Sequence, residues 1–81
     1  MILRVISVRY LSGYSLWLTF SDGSEGTVDL SAELYGEVFD PLKSLEEFQK
    51  VTVSEEFGTV VWPNGADFAP EYLRERLQEA A

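Results

Sequence analysis

Residues 14–20 alternate without interruption: Tyr14, Leu16, Leu18 and Phe20 fall on one side of an extended chain, Ser15, Trp17 and Thr19 on the other. That is a half-buried strand, and two neighbours extend it. Upstream, Ile2 to Tyr10 carries Val5, Ile6 and Val8 between two arginines, a β-branched run that predicts a first strand broken by Leu11-Ser12-Gly13. Downstream, Ser21-Asp22-Gly23-Ser24 reads as a hairpin turn, because glycine accepts positive φ and aspartate bonds its own backbone. The returning segment, Glu25 to Leu30, turns Val28 and Leu30 inward and Thr27 and Asp29 outward. Three short strands with tight turns make an antiparallel meander.

Beyond Leu30 the pattern changes. Ser31 to Gly36 reads as one helical turn with Ser31 as N-cap and glycine as its stop, and Glu37 to Leu42 as a connecting loop. Ser44-Leu45-Glu46-Glu47 has the capping-box spacing, with Leu45 and Phe48 on one face of a short helix. Val51-Thr52-Val53 and Gly58 to Trp62 flank Glu55-Glu56-Phe57-Gly58, a second hairpin. Pro63 to Asp67 is a loop, and Pro70 with Glu71 opens the last helix, whose apolar stripe is Leu73, Leu77 and Ala80 with Tyr72 at its edge. The expected fold class is α+β: an antiparallel sheet of about five short strands, a three-strand meander followed by a second hairpin, with two short helices, the last one C-terminal. The 81 residues form one domain, 1–81, without repeats, linkers or low-complexity stretches.

Composition narrows the chemistry. With no histidine and no cysteine, the usual structural zinc, disulfides, thiol catalysis and every imidazole-based triad are excluded. Six Lys and Arg against fourteen Asp and Glu give a net charge of −8. Such a surface repels phosphate backbones, so direct nucleic-acid binding is not expected, and partners are expected to be neutral or basic. No apolar run approaches the ~18 residues of a membrane span, and the first residues lack a signal-peptide pattern; the expected location is the cytoplasm.

Carboxylates are the remaining catalytic groups: Asp22 and Glu25, Asp29 and Glu33, and the adjacent pairs Glu46-Glu47 and Glu55-Glu56. General acid–base work needs two of them across a cleft with one in apolar surroundings, which a chain this short can hardly build beside its core; solvated acids and caps are the plain reading. The turn around Asp22 lacks the oxygen ligands of a calcium loop, and Gly23 and Gly26 make no phosphate-binding loop. No catalytic, cofactor or metal residue is assigned, and no enzymatic activity is expected. Aromatic residues carry more information. Trp17 lies on the polar side of its strand, and Trp62 runs into Pro63-Asn64-Gly65-Ala66-Asp67. Either tryptophan is a core or rim residue in the plain reading, and an interface anchor in the functional one. By the same choice, Asn64 and Asp67 either order the loop or act as recognition groups beside Trp62. The candidate partner-binding residues are therefore Trp62, Asn64, Asp67 and Trp17.

The series Leu18-x-Phe20-x-Asp22-Gly23, Val28-Asp29-Leu30, Pro41-Leu42, Phe48, and Gly58-Thr59-Val60-x-Trp62-Pro63-Asn64-Gly65-Ala66-Asp67-Phe68-Ala69-Pro70-Glu71-x-Leu73 resembles the bacterial family known as domain of unknown function 2442, over roughly residues 3 to 77. The resemblance implies an α+β fold like the N-terminal domain of a Nitrosomonas protein that carries a helix-turn-helix domain behind it. The present sequence ends soon after Leu77, so a DNA-binding role is not expected to carry over. By that resemblance, members often neighbour a second small domain of unknown function, which implies toxin–antitoxin pairs or another two-component regulatory module. The motif supplies Asp22, Gly23, Asp29, Trp62, Pro63, Gly65, Asp67, Pro70 and Glu71, with no catalytic role attached to any of them.

Three functions compete. The first is a non-catalytic, antitoxin-like interaction module that binds a small basic protein, with a homodimer compatible. The second is a carboxylate-dependent or metal-assisted hydrolase using Asp22, Asp29 and Asp67. The third is an acidic mimic of DNA.

Overall fold

A computed structural model describes residues 2–79 of the chain. The alternation of residues 14–20 becomes a strand, β2 (Ser15–Phe20), with Leu16, Leu18 and Phe20 buried. It is flanked antiparallel by β1 (Val5–Ser12) and β3 (Glu25–Asp29), the expected meander. β1 starts later than the sequence suggests and runs through Leu11 and Ser12, so the turn falls at Gly13-Tyr14, with Gly13 at φ +54°. Its register on β2 slips between Val5 and Ser7 and between Tyr10 and Ser12. These irregularities leave Ile6 and Leu11 exposed, which is why simple alternation misplaces them.

The segment after β3 departs from expectation. No helical turn forms over residues 31–36, and Ser31 caps nothing. Asp29 Oδ1 instead accepts the Ser31 N–H at 2.9 Å, and the Glu33 N–H bonds the Leu30 carbonyl. A short side chain that captures the backbone in this way competes with helix nucleation. The supposed loop carries a 3-10 turn at Asp40–Lys43, with Pro41 in its first turn. The helix α1 (Leu45–Phe48) follows Ser44, whose hydroxyl makes no capping bond; Glu47 is drawn to Lys50 Nζ at 2.9 Å instead. Phe48 alone is buried there, while Leu45 is exposed.

The second hairpin, β4 (Thr52–Ser54) and β5 (Thr59–Val61), forms its own two-stranded sheet. Gly58 closes its turn at φ +66° and accepts the Val5 N–H on its carbonyl, tying this sheet to the start of β1. After β5 the chain doubles back on itself. Gly65 N–H bonds the Trp62 carbonyl, Trp62 N–H bonds the Ala66 carbonyl, and Val61 bridges Asp67.

Helix α2 (Pro70–Glu75) begins at Pro70 as expected and buries Leu73. It stops before Leu77, so the predicted stripe is cut short; Ala80 lies outside the described residues. Arg76 ends it by donating from Nη1 to the Tyr72 carbonyl at 2.9 Å. The last described residues form β6 (Gln78–Glu79), which pairs antiparallel with β3 and completes the order β1-β2-β3-β6. The core lies between the two sheets and α2, and it brings together the inward residues of β2 and β3 with Phe48, Val60, Trp62, Phe68 and Leu73. Among the described residues no helix is long and apolar enough to cross a membrane.

Candidate functional site

Trp62 is 3% exposed. Its indole packs against Phe48 (ring centroids 5.7 Å apart) and edge-on to Phe68 (5.8 Å), and Nε1 donates to the Phe48 carbonyl at 2.9 Å. An indole so enclosed cannot touch a partner. The expectation of Trp62 as contact residue gives way to a structural role: a short strand with core on both sides buries its aromatic end. Asn64 is also committed internally. Its Nδ2 donates to the Val38 carbonyl at 2.9 Å and its Oδ1 accepts the Ala66 N–H at 3.1 Å, so it fastens the loop to the 36–39 segment. Trp17 is half-buried on the outer face of the meander, between Arg9 of β1 and Thr27 of β3, away from the loop.

Asp67 is different. It is exposed, and it lines a pocket of about 250 Å3 with Glu33, Tyr35, Phe39, Phe68, Ala69 and Tyr72. Two segments far apart in sequence, residues 33–39 and 67–72, supply the walls. The first is held in place by Asn64, the second by Pro70 and α2.

The floor of this site is an aromatic column. Phe39 stacks on Phe68 at 4.7 Å and Phe68 on Tyr72 at 5.4 Å, and the Arg76 guanidinium caps the Tyr72 ring at 3.5 Å from its centroid. Glu33 clamps the end of the column: Oε2 accepts the Tyr72 hydroxyl at 2.5 Å, and Oε1 accepts Arg76 Nε at 2.9 Å. The Tyr72 hydroxyl bond, and then Arg76, hold the Glu33 carboxyl below its usual range; the same bond raises Tyr72. Glu33 is thus a fixed anion whose partners are already supplied. Tyr35, 68% exposed, and Asp67 stand at the rim.

The three acids considered for hydrolysis have different local settings. Asp22 is bound up in the β2–β3 turn, where the Ser24 hydroxyl and N–H lower its pKa; Asp29 bonds Ser31, whose N–H lowers its pKa; Asp67 belongs to the pocket. Among the described residues, no group of three or more Asp, Glu, His or Cys converges as a metal site. Sequence reasoning missed Glu33, Tyr35, Phe39 and Tyr72 as pocket residues. The only local hint was the density of aromatics on either side of the Pro-Asn-Gly loop.

The family model described as "Protein of unknown function (DUF2442)" matches residues 5–79. The chain belongs to that family. No curated protein and no solved structure matches it.

Proposed function

We propose that this member of the DUF2442 family is a non-catalytic interaction module of the cytoplasm that takes a basic side chain of a small protein partner into the Tyr35–Asp67 pocket. The observation that supports the reading is the pocket's composition: aromatic walls with a free-standing carboxylate at the rim, on a chain of net charge −8. A lysine or arginine stem lies along apolar walls while its head stays at the rim, where an aromatic face and a carboxylate both attract it. The volume is below the usual range for a small-molecule site, and it suits a single long side chain. The acidic surface steers a basic partner towards the protein and fits the acidic half of an antitoxin-like pair.

An NMR titration with a blocked Gly-Arg-Gly peptide tests this, with Gly-Glu-Gly as control. Amide shifts should cluster at Tyr35, Phe39, Asp67, Ala69 and Tyr72 with the arginine peptide only. Asp67→Asn should weaken the affinity by about two- to fivefold, the equivalent of roughly 0.5–1 kcal/mol. Shifts spread evenly over all the acidic residues would mean non-specific attraction and would remove the pocket from the proposal.

A further inference from the structure

Resting on the reading of the Tyr35–Asp67 pocket as a site for a basic side chain, we infer that its ligand is an arginine, whose guanidinium lies on the Tyr35 ring and is gripped edge-on by the Asp67 carboxylate. The fold already contains one such arrangement. At one end of the aromatic column the Arg76 guanidinium sits 3.5 Å from the centroid of the Tyr72 ring, and its Nε donates to Glu33 Oε1 at 2.9 Å. An aromatic face and a carboxylate edge together hold one planar cation. The pocket wall carries a second set of the same two elements. Tyr35 is 68% exposed and, among the described residues, packs against no other ring. Asp67 is exposed, and its carboxylate has no hydrogen bond or ion pair among the described residues. Both line the same cavity of about 250 Å3.

The other charges in the site leave this pair to the ligand. Glu33 accepts the Tyr72 hydroxyl on Oε2 and Arg76 on Oε1, and the Glu33–Arg76 pair is neutral as a unit. Asp67 is therefore the carboxylate with both oxygens open. Two oxygens match the fork of a guanidinium, whose parallel N–H groups satisfy both, and a weakly hydrated planar cation loses little by lying on a ring. A lysine ammonium is compact, strongly hydrated and has three donors. Beyond Asp67 it meets Phe39, Phe68 and Ala69, whose side chains accept no hydrogen bond. A fully methylated ammonium needs several ring faces around it. Here Phe68 is stacked between Phe39 and Tyr72, and Tyr72 lies between Phe68 and Arg76, so these two rings offer only edges, which are positive.

NMR titrations of the whole chain with blocked Gly-Xaa-Gly peptides test the selection, with arginine, lysine, trimethyl-lysine or citrulline at the centre. The arginine peptide should bind about fivefold more tightly than either lysine peptide. Citrulline keeps the planar shape without the charge and should bind about tenfold more weakly than arginine. Tyr35→Leu should weaken arginine about threefold and change lysine less. Asp67→Asn should bring the arginine-to-lysine ratio close to one. Both side chains are exposed, and the peptide series on the unaltered chain needs neither variant. Equal affinity for arginine and lysine, or tightest binding of trimethyl-lysine, overturns the inference and leaves a pocket for basic side chains standing. Shifts that avoid the pocket with every peptide overturn both.

Discussion

Replacing Trp62 by phenylalanine separates a core tryptophan from a contact tryptophan. The substitution keeps one aromatic ring in a site that is 3% exposed, and it deletes the N–H that bonds the Phe48 carbonyl at 2.9 Å. The smaller ring leaves a partly filled space, a cost of about 1 kcal/mol. The carbonyl at the end of α1 loses its donor inside the core, about 1–3 kcal/mol more. The sum is roughly 2–4 kcal/mol, and for a domain of this size each kcal/mol lowers Tm by about 4–8 °C, so a fall of roughly 8–32 °C is expected. Thermal unfolding followed by circular dichroism measures it. Fluorescence adds a check: the variant emits from Trp17 alone, half-exposed on the outer sheet face, and should be red-shifted relative to the parent. Trp62→Ala should cost more, about 3–5 kcal/mol for the lost side chain alone, out of a total stability near 4–12 kcal/mol for 81 residues. A Trp62→Phe loss below about 0.5 kcal/mol, the scale of an ordinary surface change, would refute the reasoning.

Further outcomes follow from the same contacts. Because the Glu33 carboxyl sits below its unfolded value of 4.5, its contribution to stability is present above that value and fades as pH falls through the folded pKa. Denaturation curves from pH 7 to 3 should therefore fall less steeply for Glu33→Gln than for the parent; parallel curves would mean the clamp adds nothing. Gly58→Ala should cost more than Gly65→Ala. Both positions have positive φ, but a Cβ at Gly58 would lie 2.8 Å from Arg4 Cζ, whose guanidinium bonds the Glu55 carbonyl, whereas nothing lies within 4 Å at Gly65. The shared backbone strain is about 1–2 kcal/mol, and a chemical denaturation series gives the difference. Asn64→Ala removes the ties to Val38 and Ala66 and should cost about 1 kcal/mol, with faster amide exchange across residues 36–39 as its local signature. Equal exchange in both proteins would show that Asn64 does not hold that wall.

The elements with a local signal were legible in the sequence. Strict period-two alternation placed Leu16, Leu18 and Phe20 inside, and Asp22-Gly23 set the turn that returns β3 alongside β2. The meander, the second hairpin, Pro70 as helix start and the family itself could all be read from neighbouring residues, because each depends on backbone preferences spanning a few positions. The helix expected at Ser31 failed for a local reason as well: Asp29 captured the Ser31 N–H first. What the sequence could not show depends on contacts between distant segments. Trp62 is polar-edged and sits before a loop, and only the closure of α1 over it makes it core. Glu33 meets Tyr72 and Arg76 across 39 and 43 positions, and Asn64 reaches Val38 across 26. The pocket exists because these pairings bring residues 33–39 against residues 67–72, and no periodicity within either segment encodes the other. Composition determined the chemistry available to this protein, carboxylates and aromatics without thiol or imidazole; packing decided which of those groups face the core and which remain at the rim of the pocket.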